Sequence, residues 1–115
     1  MIALVFTGCL YSCEQEISIE GFESQKWAED AHGCKGFREK MAAVLMEHRR
    51  QLIGANEKEV KNLLGMPDAQ ELQTRGQHYF VYELRGGKSC LDEKQSALLR
   101  IRFDALNRVS ELAVY

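Results

Sequence analysis

The sequence predicts an α+β fold: two helices packed on one face of a three-stranded antiparallel sheet, in the order ααβββ. Three observations predict it. Apolar residues recur at steps of three and four from about 36 to 53. A short capped helix follows over 57 to 64. Beyond His78 come three runs rich in aromatic and β-branched residues, one of them strictly alternating. The 115 residues, 45% hydrophobic and 28% charged, have room for one ordinary domain. The expected organisation is a leader over 1–13, a tether over 14–26 and a single domain over 27–115.

The amino terminus is apolar from Met1 to Cys13 and turns acidic at Glu14 and Glu16. That is the profile of a secretory leader, whose apolar stretch runs to about 7–15 residues. No Lys or Arg precedes it, so the expected start lies upstream of Met1. The stretch is too short to cross a bilayer, which needs about 20 residues. Its end resembles a bacterial lipobox, an aliphatic residue and a small residue ahead of a Cys that is lipidated. Leu10-Tyr11-Ser12-Cys13 is preferred because it uses the whole apolar run; Phe6-Thr7-Gly8-Cys9 is the second choice. The alternative is an amino-terminal strand over 2–11 with buried thiols. Removal of the leader leaves Cys34 and Cys90, an even pair in an exported chain, for which a disulfide is expected.

Residues 14 to 25 are polar apart from Ile17, Ile19 and Phe22 and read as a tether or short edge strand, with the domain starting at Trp27. The first helix places Phe37, Met41, Val44, Leu45, His48 and Leu52 on one face, and Arg38, Glu39, Glu47, Arg49 and Arg50 on the other. Gly54 ends it. Asn56 and Glu59 form a capping box for the next helix, whose apolar face is Val60, Leu63 and Leu64. Gly65 and Pro67 stop that helix. The strands are His78 to Arg85, Ala97 to Asp104 and Arg108 to Tyr115. In the second, Leu99, Ile101 and Phe103 alternate with Arg100, Arg102 and Asp104, which calls for one buried and one wet face. Asn107 suits a left-handed turn position between the last two strands, and 86–95 is a longer connection. The core is expected to contain Phe37, Met41, Val44 and Leu45 of the first helix, Val60, Leu63 and Leu64 of the second, and Phe80, Leu99, Ile101 and Phe103 of the sheet.

A formal charge of −2 removes the long-range field that gathers phosphates, so nucleic acid is not an expected partner. His32 and Cys34 are two positions apart, but no further ligands at metal-site spacing accompany them, and neither a metal nor another cofactor is expected. His48 and His78 read as packing residues. The serines lack a nucleophile-elbow context. Gly86-Gly87-Lys88-Ser89 lacks the upstream Gly of a phosphate loop. Glu29 and Asp30 are neighbours and would point about 100° apart on a helix, which rules them out as a facing acid/base pair. The chain therefore reads as a binding protein rather than an enzyme, and as a monomer. Since successive strand residues face opposite ways, Phe80 shares the core face with His78 and Tyr82. Tyr79 and Val81 fall on the other, as an exposed apolar pair beside Arg100 and Arg102. These four residues, with the polar connection over 86–95, are the candidate protein-binding surface.

The stretch from Leu52 to Asp68, with Val60, Leu64, Gly65, Pro67 and Asp68, is followed by Tyr79-Phe80-Val81-Tyr82, then by Ile101 to Asp104 and Val109. This pattern resembles the SmpA/OmlA (BamE) family of small outer-membrane lipoproteins, over about residues 52 to 115. The helix-to-Pro-Asp motif also recurs in beta-lactamase-inhibitor-like domains of the same shape. A long first helix with Arg38 and Arg49, and the pair Cys34 and Cys90, set this chain apart from the usual pattern. The resemblance implies a lipid-anchored protein of the cell envelope, at the outer membrane or in the periplasm, whose partner is another envelope protein. An enzyme inhibitor or small-ligand carrier of the same shape is the alternative.

Overall fold

The computed structural model describes residues 17–86, 90 and 95–115. The leader over 1–13, the lipidation candidates Cys13 and Cys9, the first three tether residues and most of the 86–95 connection, with Gly87, Lys88 and Ser89, lie outside the described residues.

Three α-helices precede and a four-stranded sheet follows: α1 Ser24–Glu29, α2 Phe37–Glu47, α3 Glu57–Leu64, then β1 Ala69–Leu72, β2 His78–Arg85, β3 Ala97–Phe103 and β4 Val109–Val114. The sheet is an antiparallel meander in the order β1-β2-β3-β4. The α+β class and the antiparallel sheet are as the sequence predicts. The counts differ by one helix and one strand. β1 is exposed at all four positions, so it carries none of the alternation that marks a half-buried strand. α1 has six residues and no side-chain cap, too little for a periodic signal.

α3 has the predicted bounds, because both ends are fixed by local chemistry. Asn56 Oδ1 accepts from Glu59 N at 2.8 Å, and Glu59 Oε1 accepts from Asn56 N at 2.9 Å. α2 stops earlier than the periodicity predicts, at Glu47, and a 3₁₀ turn over Arg49–Gln51 takes the chain on. At that stop Arg49 Nη1 donates to Met46 O at 2.9 Å, and His48 Nδ1 lies 3.0 Å from Val44 O, which also accepts from His48 N at 3.1 Å. Leu52 still reaches the core.

The core lies between the helices and the sheet face bearing Phe80, Tyr82, Leu84, Leu99, Ile101 and Phe103. Met41, Leu45, Val60, Leu63 and Leu64 meet them from the helices, while Phe37 and Val44 are only partly buried. Trp27 is wholly enclosed, and its indole N–H donates to Leu64 O at 2.9 Å, joining α1 to the end of α3. Ile19 is buried and Ile17 and Phe22 pack on the same cluster. The packed unit thus includes residues assigned by sequence to the tether and begins ahead of Trp27. Arg38, expected on the wet side of α2, is 5% exposed.

Candidate functional site

The register assigns the outer face of the sheet. Tyr79 pairs with Glu71 and Arg102, Val81 with Ala69 and Arg100, Arg100 with Ala113, and Arg102 with Glu111. Residues directly opposite one another share a face, so these side chains stand together, away from the helices. The Arg100 guanidinium lies 4.3 Å from the Tyr79 ring centroid and 5.3 Å from that of Tyr115, and it pairs with Glu71. Arg102 reaches Gln77 Oε1 at 3.1 Å and Glu111 Oε1 at 3.5 Å. The four surface residues expected from sequence therefore fall on one face, but not all are exposed. Val81 is 5% exposed. Its neighbour on one side is β1, which the sequence did not announce, and on the other the long stem of Arg100, which can cover apolar surface while its head stays wet. The expected pair of Tyr79 and Val81 is corrected to an arginine held between two tyrosines, with Val81 beneath.

A second group of polar residues gathers where β1 gives out. β1 follows β2 only from His78 to Val81, so it does not reach the stretch of β2 at Glu83. Side chains take that place: Asp68 Oδ2 accepts from Glu83 N at 2.7 Å, and Arg38 Nη1 donates to Glu83 O at 3.3 Å and to Asp68 Oδ2 at 3.1 Å. Arg38 Nε donates to Trp27 O at 3.0 Å, and the guanidinium lies 5.0 Å from the Trp27 ring. Asp30, 1% exposed, accepts from Lys35 N at 2.7 Å and Arg38 N at 2.9 Å, tying the preceding loop to the start of α2.

The 3₁₀ turn over Ala31–Gly33 lies against the same edge. Gly33 approaches β2 so closely that a Cβ there would sit 2.3 Å from the Leu84 carbonyl carbon, and its φ of +71° is one that side chains disfavour. His32 before it also has a left-handed backbone, φ 61°. Cys34 after it is bonded to Cys90, with Cα atoms 5.1 Å apart, and Cys90 Sγ lies 3.6 Å from His32 O. This anchoring brings His32 Nδ1 against Glu83 Oε1 and within 3.6 Å of Asp68 Oδ1. One nitrogen and two carboxylate oxygens, from three separate segments, lie within 4.8 Å of one another. Sequence reasoning saw only His32 and Cys34, because no local spacing links His32 to Asp68 or Glu83.

Nearby, Tyr82 donates to Gly65 O at 2.8 Å. Burial first, and the Asp68 charge second, push its phenol well above the usual range against the opposing pull of Arg38. His78 stacks on Phe103 at 4.8 Å and lies 2.8 Å from Glu57 Oε2, so it does pack, with an acidic neighbour at its edge. An open groove of about 320 Å³ runs between Ala42, Ala43 and Met46 of α2 and Leu84, Ala97 and Tyr115. The ion pair of Arg85 with Glu39, 2.7 Å, stands beside it.

No helix among the described residues is long and apolar enough to cross a membrane. The chain matches no family model, no curated protein and no solved structure.

Proposed function

We propose that the protein is a non-catalytic lipoprotein of the bacterial envelope, anchored through Cys13 (or Cys9), that binds another envelope protein through the outer face of its sheet. The observation that carries the reading is the Tyr79, Arg100 and Tyr115 stack on that face. Large amphipathic side chains already held in place lose little conformational freedom on binding, and Tyr and Arg are the residues that most often anchor protein interfaces. Around the stack, Glu71, Gln77, Arg102 and Glu111 supply a polar rim of both signs, suited to fixing orientation. The resemblance to the SmpA/OmlA (BamE) pattern agrees with an assembly or scaffold role for a monomeric domain.

A small-ligand carrier is the second reading, favoured by the groove between α2 and the sheet, whose volume is at the lower end of those that hold small molecules. It ranks second because the groove is open to solvent. Photo-crosslinking in the native host separates the two. A crosslinking residue in place of Glu111 should capture one envelope protein, and Tyr79→Ala with Arg100→Glu should abolish the capture. The same probe in place of Glu47, on the helix layer, should give none. Equal capture from both positions would remove the sheet face from consideration.

A further inference from the structure

We propose that His32 Nδ1, Asp68 Oδ1 and Glu83 Oε1 bind one divalent transition-metal ion, of the zinc class, at the corner where the Cys34–Cys90 bridge meets the end of β1. The reading rests on neither the sheet face nor the lipid anchor. Four-coordinate zinc with bonds of about 2.0–2.2 Å holds its donors roughly 3.4 Å apart. The 3.6 Å between His32 Nδ1 and Asp68 Oδ1 fits that spacing, and all three donor atoms lie within 4.8 Å of one another. Glu83, whose Oε1 lies against the same nitrogen, turns its carboxyl away from the imidazole to admit the ion.

The supports of each donor are fixed in advance. Asp68 has its Oδ2 committed to Glu83 N and Arg38 Nη1, which turns Oδ1 toward His32. His32 is held between the close approach of Gly33 to β2 and the disulfide at Cys34. Glu83 belongs to β2, with its own N–H and carbonyl engaged by the side chains of Asp68 and Arg38. Outer partners of this kind orient metal ligands.

Charge argues in the same direction. Asp68 and Glu83 bring two carboxylates to the corner, their side chains each 17% exposed, and the Arg38 guanidinium pairs with that of Asp68. Two carboxylates against one guanidinium leave the corner with excess negative charge, which a divalent ion balances. The His32 side chain is 37% exposed, so the ion has a route in and its fourth position faces water. An imidazole among carboxylates selects transition metals over magnesium and calcium, which take oxygen ligands. Arg38 opposes the ion, so the expected site is an exchangeable one.

The test is calorimetric titration of the oxidised full chain with Zn²⁺, paired with thermal melts. One equivalent should bind and raise Tm, and Mg²⁺ should not. His32→Asn, chosen because Asn tolerates a left-handed backbone, and Glu83→Gln should each weaken binding by about tenfold or more. His48→Gln should bind as the parent does. Co²⁺ absorption supplies an independent readout, since nitrogen and oxygen ligation lacks the strong near-ultraviolet band of thiolates. Should Glu83→Gln fail to fold, His32→Asn decides alone. Absence of saturable Zn²⁺ binding, unchanged affinity in His32→Asn, or a thiolate band assigning the ion to Cys9 and Cys13 would each overturn the proposal.

Discussion

Arg38 directs its donors at two main-chain carbonyls, Trp27 O and Glu83 O, and at the Asp68 carboxylate. Truncation of a buried charge with these partners leaves Asp68 uncompensated and two carbonyls short of a donor. Arg38→Met should therefore lower stability by about 3–5 kcal/mol, read from urea unfolding. A subtler test lies at Tyr82. Its phenol is pushed up by burial, so above the unfolded value of about 10 the denatured chain releases a proton that the folded one retains. Its contribution to stability is thus fully present below about pH 10 and is lost as pH rises toward the folded value. The slope reaches at most about 1.4 kcal/mol per pH unit. Tyr82→Phe should remove that alkaline slope and cost about 1–3 kcal/mol at neutral pH, since Gly65 O loses its donor.

Among the elements, α3 and β3 were legible because each carries its own instructions. Asn56, Glu59 and Gly65 fix the ends of the helix, and strict alternation from Ala97 to Phe103 fixes the faces of the strand. Leu64, 1% exposed, closes the contact between α3 and the sheet, and Leu64→Ala should cost about 2–5 kcal/mol by chemical denaturation. β1 and α1 were not legible. β1 is stabilised by pairing along β2 rather than by burial of its own side chains, and α1 by the single large anchor Trp27. The burial of Arg38 escaped the sequence for a related reason. Arg38 stands three and seven positions before Met41 and Leu45, on the same stripe of α2, and its charge alone put it on the wet side; its partners come from α1 and the edge of β2, which no helical pattern announces. The corner of His32, Asp68 and Glu83 was equally hidden, since a ligand set drawn from three segments leaves no spacing to read. Tyr79, Arg100 and Arg102 were placed on the correct face by period-two reasoning. The burial of Val81 depended on β1 and was missed with it.

At the scale of the whole molecule, the helical layer is tied to the sheet by the Cys34–Cys90 bond, which spans a sequence separation of 56. By chain entropy alone a loop of that size is worth about 4 kcal/mol, so reduction should lower the urea midpoint substantially while far-ultraviolet dichroism below the transition stays unchanged. Side chains standing in for a strand at the edge of β2 have a further, kinetic consequence. The meander β2, β3 and β4 closes through the connection over 86–96 and the turn over 104–108. Arg38, by contrast, meets Asp68 and Glu83 across 30 and 45 positions, and chain entropy must be lost before such contacts form. The amino-terminal segment with α1 and the His32 turn is therefore expected to dock after the rate-limiting barrier to folding. A late-forming clamp sets the rate of escape from the native state and leaves the rate of arrival almost untouched. In stopped-flow measurements, reduction of the disulfide and Arg38→Met should both steepen neither limb of the chevron but raise the unfolding limb by nearly the whole loss of stability. Equal shifts in both limbs would place the clamp in the nucleus instead. The corner at Glu83 would then act as a latch on lifetime, setting how long the domain stays shut once it has folded.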